Sequence, residues 1–358
     1  MNTEEKLRLI KEVGEEIIGE DQLIKMLNDE NYTPVAYDGF EPSGNIHIAQ
    51  GLLRSINVNK LTKTGIKFKF WIADWFAMLN NKLGGDLNKI RITGEYFIEV
   101  WRACGMDLDN VEFIWASEYI KEHPKYWETV LKLSTNATVT RVLRCGQIMG
   151  REENVSNPAS QIMYPLMQAA DIHHLGADIA QLGMDQRKVN MLARDVFPKL
   201  KFKKPIAIHH HMLMGLTEPP KSDAKGIEAA IAKKMSKSNP NSAIFMTDSS
   251  KEITRKFNKA FCPDKSSENN PVLEYLKYIV FERFEKVVIE RYKKEPLEFS
   301  NYRELETSYV EGNIHPADLK QSTAKYIDEL IEPIRRHFET NKTAKKLLEE
   351  INNFKVTK

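Results

Sequence analysis

Residues 35–54 read VAYDGFEPSGNIHIAQGLLR and combine a strand pattern, a tight turn and the start of a helix. The β-prone run 35–37 leads into a turn that contains Gly39 and Gly44, after which apolar residues recur at helical spacing. A helix that begins after a strand and a turn directs backbone N–H groups towards an anion, and glycine allows close approach of a ligand. We interpret the stretch either as a phosphate-binding corner, with His47 as a second donor, or as an ordinary strand–helix connection with a solvated histidine.

A second motif lies in the polar, lysine-rich segment 221–242, where residues 234–238 read Lys-Met-Ser-Lys-Ser. Such a loop taken alone is usually only solvated. Together with His47-Ile48-Ala49-Gln50, however, it resembles the KMSKS and HIGH signatures of class I aminoacyl-tRNA synthetases, with Ala and Gln in the last two positions of the second signature. The resemblance implies that His47, Lys234 and Lys237 act on the phosphates of ATP. It also implies a set of ATP-binding residues: Gly39, Gly44, His47, Gln50, Lys234, Met235, Ser236, Lys237 and Ser238.

The composition is that of an ordinary globular protein long enough for two domains, with 358 residues, 42% hydrophobic and 28% charged. The formal net charge of +2 is small, so any contact with nucleic acid must be a local patch. The three cysteines lack C-x-x-C spacing, which indicates a reducing compartment and argues against a zinc or disulfide framework. The charged N-terminus and the absence of a membrane-length apolar run predict a cytoplasmic protein that does not bind membranes.

Alternating strand and helix patterns predict an α/β fold, a Rossmann-type, doubly wound parallel sheet. We expect strands within 68–73 and 111–120 and helices over 88–104, 124–150 and 160–177. The predicted domain boundaries are a helical leader (1–30), the catalytic domain (31–245), which contains an insertion at 100–170, and an all-α anticodon-binding domain (246–358). In the last of these we expect helices over 271–292, 301–311 and from His315 towards 340, and no further RNA-binding module.

The helix predicted over 160–177 carries a polar stripe, because Tyr164, Gln168 and Asp171 fall at i, i+4 and i+7 among apolar residues. Buried polar groups are costly without partners. The stripe therefore indicates either a satisfied structural network or the wall of a pocket for a polar ligand.

Residues 37–41 (YDGFE), 163–173 (MYPLMQAADIH) and 183–188 (GMDQRK) resemble the tyrosyl-tRNA synthetases of the archaeal–eukaryotic branch, and the plant and protist members most. The resemblance implies that Tyr37 and Asp171 bracket the substrate phenol. It implies a set of residues around the substrate ammonium group: Glu41, Tyr164, Gln168 and Gln186. It also makes Arg187 a candidate contact to the acceptor end of tRNA, and Asp318 of HPADLK a reader of the anticodon. Without the resemblance, Asp318 is equally explained as a first-turn carboxylate that stabilises the helix dipole.

The expected reaction needs no general base, because the carboxylate of tyrosine is already ionised when it attacks ATP. We expect L-tyrosine, ATP with accompanying Mg²⁺, and tRNA(Tyr) as substrates, no dedicated protein metal site, and a homodimer formed through residues 100–170. The first alternative is the related tryptophanyl enzyme, which Tyr37 and Asp171 disfavour because indole carries no hydroxyl. The second is a catalytically silent paralogue. His209 and His211 could bind a metal, but the surrounding strand pattern favours a structural role.

Overall fold

The computed structural model describes residues 1–146, 158–220, 226–235 and 239–354. Its centre is one mixed sheet in the order β1-β6-β5-β2-β3-β4, in which only β1 is antiparallel to its neighbour. The strands are β1 (Gly14–Ile18), β2 (Val35–Phe40), β3 (Lys67–Ile72), β4 (Val111–Trp115), β5 (Ile179–Gly183) and β6 (Ile206–His210). The five parallel strands confirm the predicted parallel sheet.

Helices cover both faces of this sheet because successive strand residues point to opposite sides. Ala36 and Ile179 pack into one hydrophobic cluster, whereas their chain neighbours Tyr37 and Ala180 pack into another. The arrangement confirms the doubly wound fold. The helices up to residue 233 are α1 (Thr3–Val13), α2 (Glu20–Leu27), α3 (Arg54–Lys63), α4 (Asp74–Leu79), α5 (Leu87–Ala103), α6 (Ala116–Glu122), α7 (Lys125–Thr135), α8 (Val139–Gly146), α9 (Ser160–His174), α10 (Arg187–Val196) and α11 (Ile227–Lys233).

The leader differs from the sequence prediction, which took residues 1–30 as helical throughout. Residues 14–18 form β1, and this strand pairs with β6 at the edge of the sheet. Helical periodicity alone missed it because strand pairing with a distant segment overrides local propensity. The single helix predicted over 124–150 is also wrong, because the structure has two helices there, α7 and α8. Residues 147–150 lie outside the described part.

The C-terminal part is mainly helical, with α12 (Ser250–Lys259), α13 (Pro271–Tyr275), α14 (Tyr302–Val310), α15 (Pro316–Thr340) and α16 (Lys342–Asn352). The helix predicted over 271–292 is wrong in its second half, and the part is therefore not purely α. After a π-helical turn, the chain forms a hairpin of β7 (Val287–Arg291) and β8 (Lys294–Phe299). The alternation of buried Val287 and Ile289 with more exposed neighbours explains the strand.

The C-terminal part packs directly onto the part that contains the six-stranded sheet. The hydrophobic cluster on the α3 face of the sheet continues without interruption into α12, α13 and α15. Beside it, His337 of α15 lies 2.8 Å from a carboxylate oxygen of Glu99 on α5. Among the described residues, no helix is both long and apolar enough to cross a lipid bilayer.

Candidate active site

A cavity of about 910 Å³ opens at the carboxyl ends of the parallel strands, where ligands of doubly wound folds bind. It brings together residues that are far apart in the sequence. The predicted site residues that line it are Tyr37, Gly39, Glu41, His47, Gln50, Tyr164, Gln168, Asp171, Gln186, Lys234 and Met235. Gly44, Arg187 and Asp318 do not line it, and Ser236, Lys237 and Ser238 lie outside the described residues.

One end of the cavity is built around the carboxyl group of Asp171, which is only 1% exposed. Its Oδ1 accepts a 2.6 Å hydrogen bond from the hydroxyl of Tyr126 on α7, while Oδ2 is buried and has no well-aligned donor among the described residues. Burial raises the pKa of Asp171 well above its usual range, and the nearby Tyr126 and Tyr37 hydroxyls oppose that shift. Sequence analysis did not identify Tyr126, because it lies 45 residues from Asp171 and on a different helix.

The polar stripe of α9 continues from Asp171 towards the cavity mouth. The Tyr164 hydroxyl donates a 2.5 Å hydrogen bond to Oε1 of Glu41, and Asn80 donates a second one at 2.8 Å to the same oxygen. Gln168 donates to Oε1 of Gln186 at 3.1 Å. The result is a wall of carboxylate, amide and hydroxyl oxygens that can receive a cationic group. Asn80 was not predicted from the sequence.

The segment after β2 enters its helix later than the sequence indicated. Gly44 has a φ of +101°, as a glycine turn requires, and the helical conformation begins with a π-helical turn at Ala49. The N–H groups of Gln50 and Gly51 both donate to the carbonyl of His47, and the N–H of Ile48 donates to the carbonyl of Ile244. The expectation of available first-turn N–H groups is therefore not met at these positions. His47 itself lines the cavity.

A short bridge brings the second motif to the opposite rim. Met214 pairs with Lys234, and the N–H of Gly215 donates to the carbonyl of Lys233. A Cβ on Gly215 would lie 3.3 Å from the Cα of Met235, so a larger residue would need the neighbouring backbone to shift by a few tenths of an ångström. The Nζ of Lys234 then lies 3.0 Å from Oδ2 of Asp185, a cavity residue that sequence reasoning passed over although it directly follows the buried strand β5.

Arg187 and Asp318 have other partners. Arg187 donates to both carboxylate oxygens of Glu16 on β1, at 3.0 and 2.7 Å. Asp318 accepts a 3.3 Å hydrogen bond from the N–H of Tyr292, at the tip of the β7–β8 hairpin. Tyr292 is 76% exposed, and the sequence reading missed it because it placed a helix there.

Two of the three consecutive histidines, His209 and His211, contact different sets of side chains. His209 is fully buried between Glu16 and Asn190, at 2.9 and 3.0 Å. His211 lies between Glu15 and Glu274, at 3.3 and 3.1 Å. Burial alone would lower the pKa of His211, but hydrogen bonds to the Glu15 and Glu274 carboxylates and their negative charge outweigh it and raise the pKa to about 9.

Comparisons with known proteins identify the family of this chain. Residues 29–332 match the family model of class I tRNA synthetases (W and Y). Two Arabidopsis thaliana proteins are similar over 99% of this chain: tyrosine–tRNA ligase 2, cytoplasmic, is 50% identical and tyrosine–tRNA ligase 1, cytoplasmic, is 47% identical. The chain spans 46% of the length of the former and 90% of the latter.

Solved structures give the same result. The tyrosyl-tRNA synthetase of Pyrococcus horikoshii, complexed with L-tyrosine, superimposes with a TM-score of 0.88 at 38% identity, covering 98% of this chain and all of that chain. The family-model match covers well over half of the chain. Tyrosine–tRNA ligase 1 of Arabidopsis thaliana is 47% identical and is matched over 90% of its length. This chain therefore belongs to the tyrosyl-tRNA synthetases of archaeal–eukaryotic type, within the class I tRNA synthetases.

Proposed function

We propose that this chain is a tyrosine–tRNA ligase. It activates L-tyrosine with ATP to give tyrosyl-adenylate and pyrophosphate, and then transfers tyrosine to the 3′ end of tRNA(Tyr). The observation that carries the proposal is the Asp171 carboxyl group, which is held by Tyr126 beside Tyr37 in a cavity whose rim presents His47 and Lys234.

The phenol end of the substrate fits this group. A tyrosine hydroxyl donates one hydrogen bond to Oδ2 of Asp171 and accepts one from Tyr37. Tyr126 holds the other carboxylate oxygen, so the substrate does not have to displace it. An indole ring has only an N–H donor and cannot accept a hydrogen bond from the Tyr37 hydroxyl, which disfavours tryptophan.

The ammonium end of the substrate meets the oxygen-rich wall formed by Glu41, Tyr164, Gln168 and Gln186. The carboxylate of Glu41 supplies the negative charge, and its contacts with Tyr164 and Asn80 fix its position. With both ends of tyrosine held, the α-carboxylate is oriented towards the part of the cavity between His47 and Lys234, where ATP would lie.

The chemical step is an attack of the tyrosine carboxylate on the α-phosphorus of ATP, with pyrophosphate as the leaving group. Alignment and stabilisation of the phosphate charge supply the rate acceleration, because no proton has to be removed from the nucleophile. His47 and Lys234 serve this purpose. Lys234 exchanges Asp185 for a phosphate oxygen when ATP binds, and Lys237, outside the described residues, acts in the same way by its motif position.

Mg²⁺ accompanies ATP in this proposal and neutralises phosphate charge. The described residues contain no cluster of three or more metal-ligating side chains. The carboxyl groups that line the cavity already have side-chain partners: Asp38 with Arg54, Glu41 with Tyr164, Asp171 with Tyr126 and Asp185 with Lys234. The residues present therefore fit an ion held by the phosphates of ATP.

For the second step we propose that tRNA contacts the hairpin of the C-terminal part. Tyr292 exposes an aromatic ring suited to stacking on a base, with Lys293 next to it and Asp318 behind it. A carboxylate at this position can accept hydrogen bonds from a base edge. A contact from Arg187 to the acceptor end requires Arg187 to leave Glu16.

We also propose a homodimer. Leu131 of α7 is 66% exposed and Val139 of α8 is 60% exposed, and further large apolar side chains are exposed on the same helices and at the start of α9. Large apolar side chains exposed together on helices that pack against one another are typical of an interface. The patch lies in the predicted insertion 100–170. The two Arabidopsis relatives are named cytoplasmic, and we propose the same compartment here.

The test is ATP–pyrophosphate exchange with tyrosine, tryptophan and phenylalanine in parallel, followed by charging of tRNA(Tyr). Tyrosine alone should support rapid exchange. A matched pair of variants tests the rim: Lys234→Ala should slow exchange, while Lys346→Ala, a substitution of a 79% exposed lysine on α16, should not. Exchange with tryptophan but not tyrosine would establish the tryptophanyl alternative, and no exchange with any amino acid would establish the silent paralogue.

A further inference from the structure

A row of polar side chains crosses the sheet on the face opposite to the tyrosine-binding residues. Asp38 of β2, Gln181 of β5 and His210 of β6 alternate with Tyr37, Leu182 and His209, and so project on the side covered by α3. His210 lines the same cavity as Asp38, at the strand ends. None of these three residues was assigned a role from the sequence.

Arg54, the first residue of α3, contacts two members of this row, Asp38 and Gln181. Its side chain is 1% exposed and its Nη2 lies 2.9 Å from Oδ2 of Asp38. Its Nη1 donates to Oε1 of Gln181, and its guanidinium lies over the rings of Phe68 and Phe70 at 5.1 and 5.5 Å. A guanidinium so enclosed has a fixed position and can only donate hydrogen bonds.

The position of Arg54 fixes the direction of every hydrogen bond that follows. Because arginine donates, the Gln181 atom that faces it is the amide oxygen, and the amide nitrogen is the atom 2.9 Å from Nδ1 of His210. An amide nitrogen can only donate, so Nδ1 of His210 is the acceptor. The ring proton of a neutral His210 must then be on Nε2.

The second ring nitrogen of His210 is placed to meet a ligand. Gly183 and His210 both line the cavity. A Cβ at position 183 would lie 3.6 Å from Nε2 of His210, so the absence of a side chain on Gly183 leaves space beside this nitrogen. The imidazole of His210 makes no other hydrogen bond among the described residues. Burial, and then the charge of Arg54, lower its pKa well below the usual value, which keeps the imidazole uncharged.

We propose that His210 is a nucleotide-contacting residue, whose Nε2–H donates a hydrogen bond to an uncharged acceptor on the nucleoside part of ATP. Arg54 and Gln181 are positioning residues that set its tautomer. A neutral donor suits a ribose hydroxyl or a purine ring nitrogen, whereas a phosphate would favour a cation. The inference rests on the proposed use of ATP in this cavity and adds a specific contact to it.

The first experiment compares two probes of the nucleotide site. His210→Leu should raise the KM for ATP and weaken inhibition by adenosine about three- to tenfold, the loss expected for one hydrogen bond, with inhibition by pyrophosphate unchanged. The KM for tyrosine and kcat should stay near the wild-type values. His210→Gln, which restores an N–H donor, should recover part of the adenosine affinity. His123→Gln, on the exposed surface, is the matched control.

The second experiment does not depend on activity. In the ¹⁵N NMR spectrum of histidine-labelled protein, the His210 signal, assigned by its loss in His210→Leu, should be that of the Nε2–H tautomer. In Gln181→Glu a carboxylate oxygen replaces the amide nitrogen, so Nδ1 must donate, the tautomer should reverse and adenosine should bind more weakly. Thermal denaturation checks that each variant is folded.

Either of two results would overturn the inference: an Nδ1–H tautomer in the wild-type protein, or unchanged adenosine inhibition in folded His210→Leu. Wild-type protein without tyrosine-dependent exchange would instead refute the proposed function. In that case direct titration of wild-type and His210→Leu protein with adenosine still decides whether His210 contacts a nucleoside.

Discussion

Selection of tyrosine over phenylalanine should depend on the charge of Asp171, and Asp171→Asn tests this with little change in shape. The substitution keeps an oxygen for the Tyr126 hydroxyl, which lies 2.6 Å from Oδ1, and replaces the buried Oδ2 by an uncharged amide nitrogen. It therefore removes the charged acceptor for the substrate hydroxyl and leaves the packing of α7 against α9 in place.

The size of the effect follows from the two hydrogen bonds that phenylalanine cannot make. A hydrogen bond to a charged group contributes about 1.5–3 kcal/mol and a neutral one about 0.5–1.5 kcal/mol. Together they give roughly 2–4.5 kcal/mol, which corresponds to a tyrosine preference of about 30- to 2,000-fold. Loss of the charge at Asp171 should lower the preference by about 10-fold, and loss of the Tyr37 hydroxyl in Tyr37→Phe by about 2- to 10-fold.

The assay is the ratio of kcat/KM for tyrosine and phenylalanine in ATP–pyrophosphate exchange, with the melting temperature as a control for folding. Burial raises the pKa of Asp171, so the carboxyl group could instead be protonated in the complex. A protonated carboxyl and an amide would then discriminate equally well. An Asp171→Asn ratio within twofold of the wild-type ratio would therefore refute recognition by a carboxylate.

Three further substitutions test other parts of the molecule. Lys234→Ala should lower the rate of single-turnover adenylation about 100-fold or more with little change in tyrosine affinity, because the lysine acts on developing phosphate charge; weakened tyrosine binding with a normal rate would contradict this. Asp318→Ala should weaken tRNA charging and leave exchange intact, whereas a joint loss of charging, exchange and melting temperature would reveal only a helix cap. The pKa of His211, about 9 in the folded protein and ordinarily 6.5, means that its charge stabilises the fold fully below pH 6.5 and that this contribution is lost as the pH rises through 9. The melting temperature of wild-type protein should thus exceed that of His211→Gln at pH 6 and approach it at pH 10, and a constant difference would disprove the ion pairs with Glu15 and Glu274.

Much of the fold could be predicted because its signals are local. The turn at Gly44, the buried run of β3 and the helical spacing on α9 each lie within a few residues of sequence, and each prediction matches the observed element. Two of the elements missed, β1 and the β7–β8 hairpin, obtain their stability from pairing with partners that periodicity does not reveal.

Most of the predicted site residues lie together around one cavity, but their contacts could not be predicted from the sequence. Motif positions suggested Asp171 and Lys234, yet their partners Tyr126 and Asp185 lie 45 and 49 residues away. Tyr126 belongs to none of the motifs, and Asp185 was assigned no role although it lies in the stretch 183–188. Likewise, the motif at His47 suggested available N–H groups, while the π-helical turn and the pairing with Ile244 use several of them internally. Such contacts depend on how elements pack, which a single sequence does not specify.

The cavity keeps its acidic side chains paired before any substrate is present, and this shapes how substrates bind. Of the carboxyl groups that line its described part, two accept hydrogen bonds from neutral hydroxyl groups: Glu41 from Tyr164, and Asp171 from Tyr126. The other two pair with cations: Asp38 with Arg54, and Asp185 with Lys234. The hydroxyl donors can stay in place while the carboxylates accept further hydrogen bonds, since each oxygen has more than one lone pair. Tyrosine therefore adds contacts without breaking any.

The cation pairs behave differently. Arg54 is fully buried and cannot leave Asp38 without leaving an unpaired charge in the interior, whereas Lys234 is 36% exposed and can transfer to a phosphate at small cost. In the proposed reaction the side chains that bind tyrosine thus keep their partners, whereas Lys234 at the rim can move to the departing pyrophosphate.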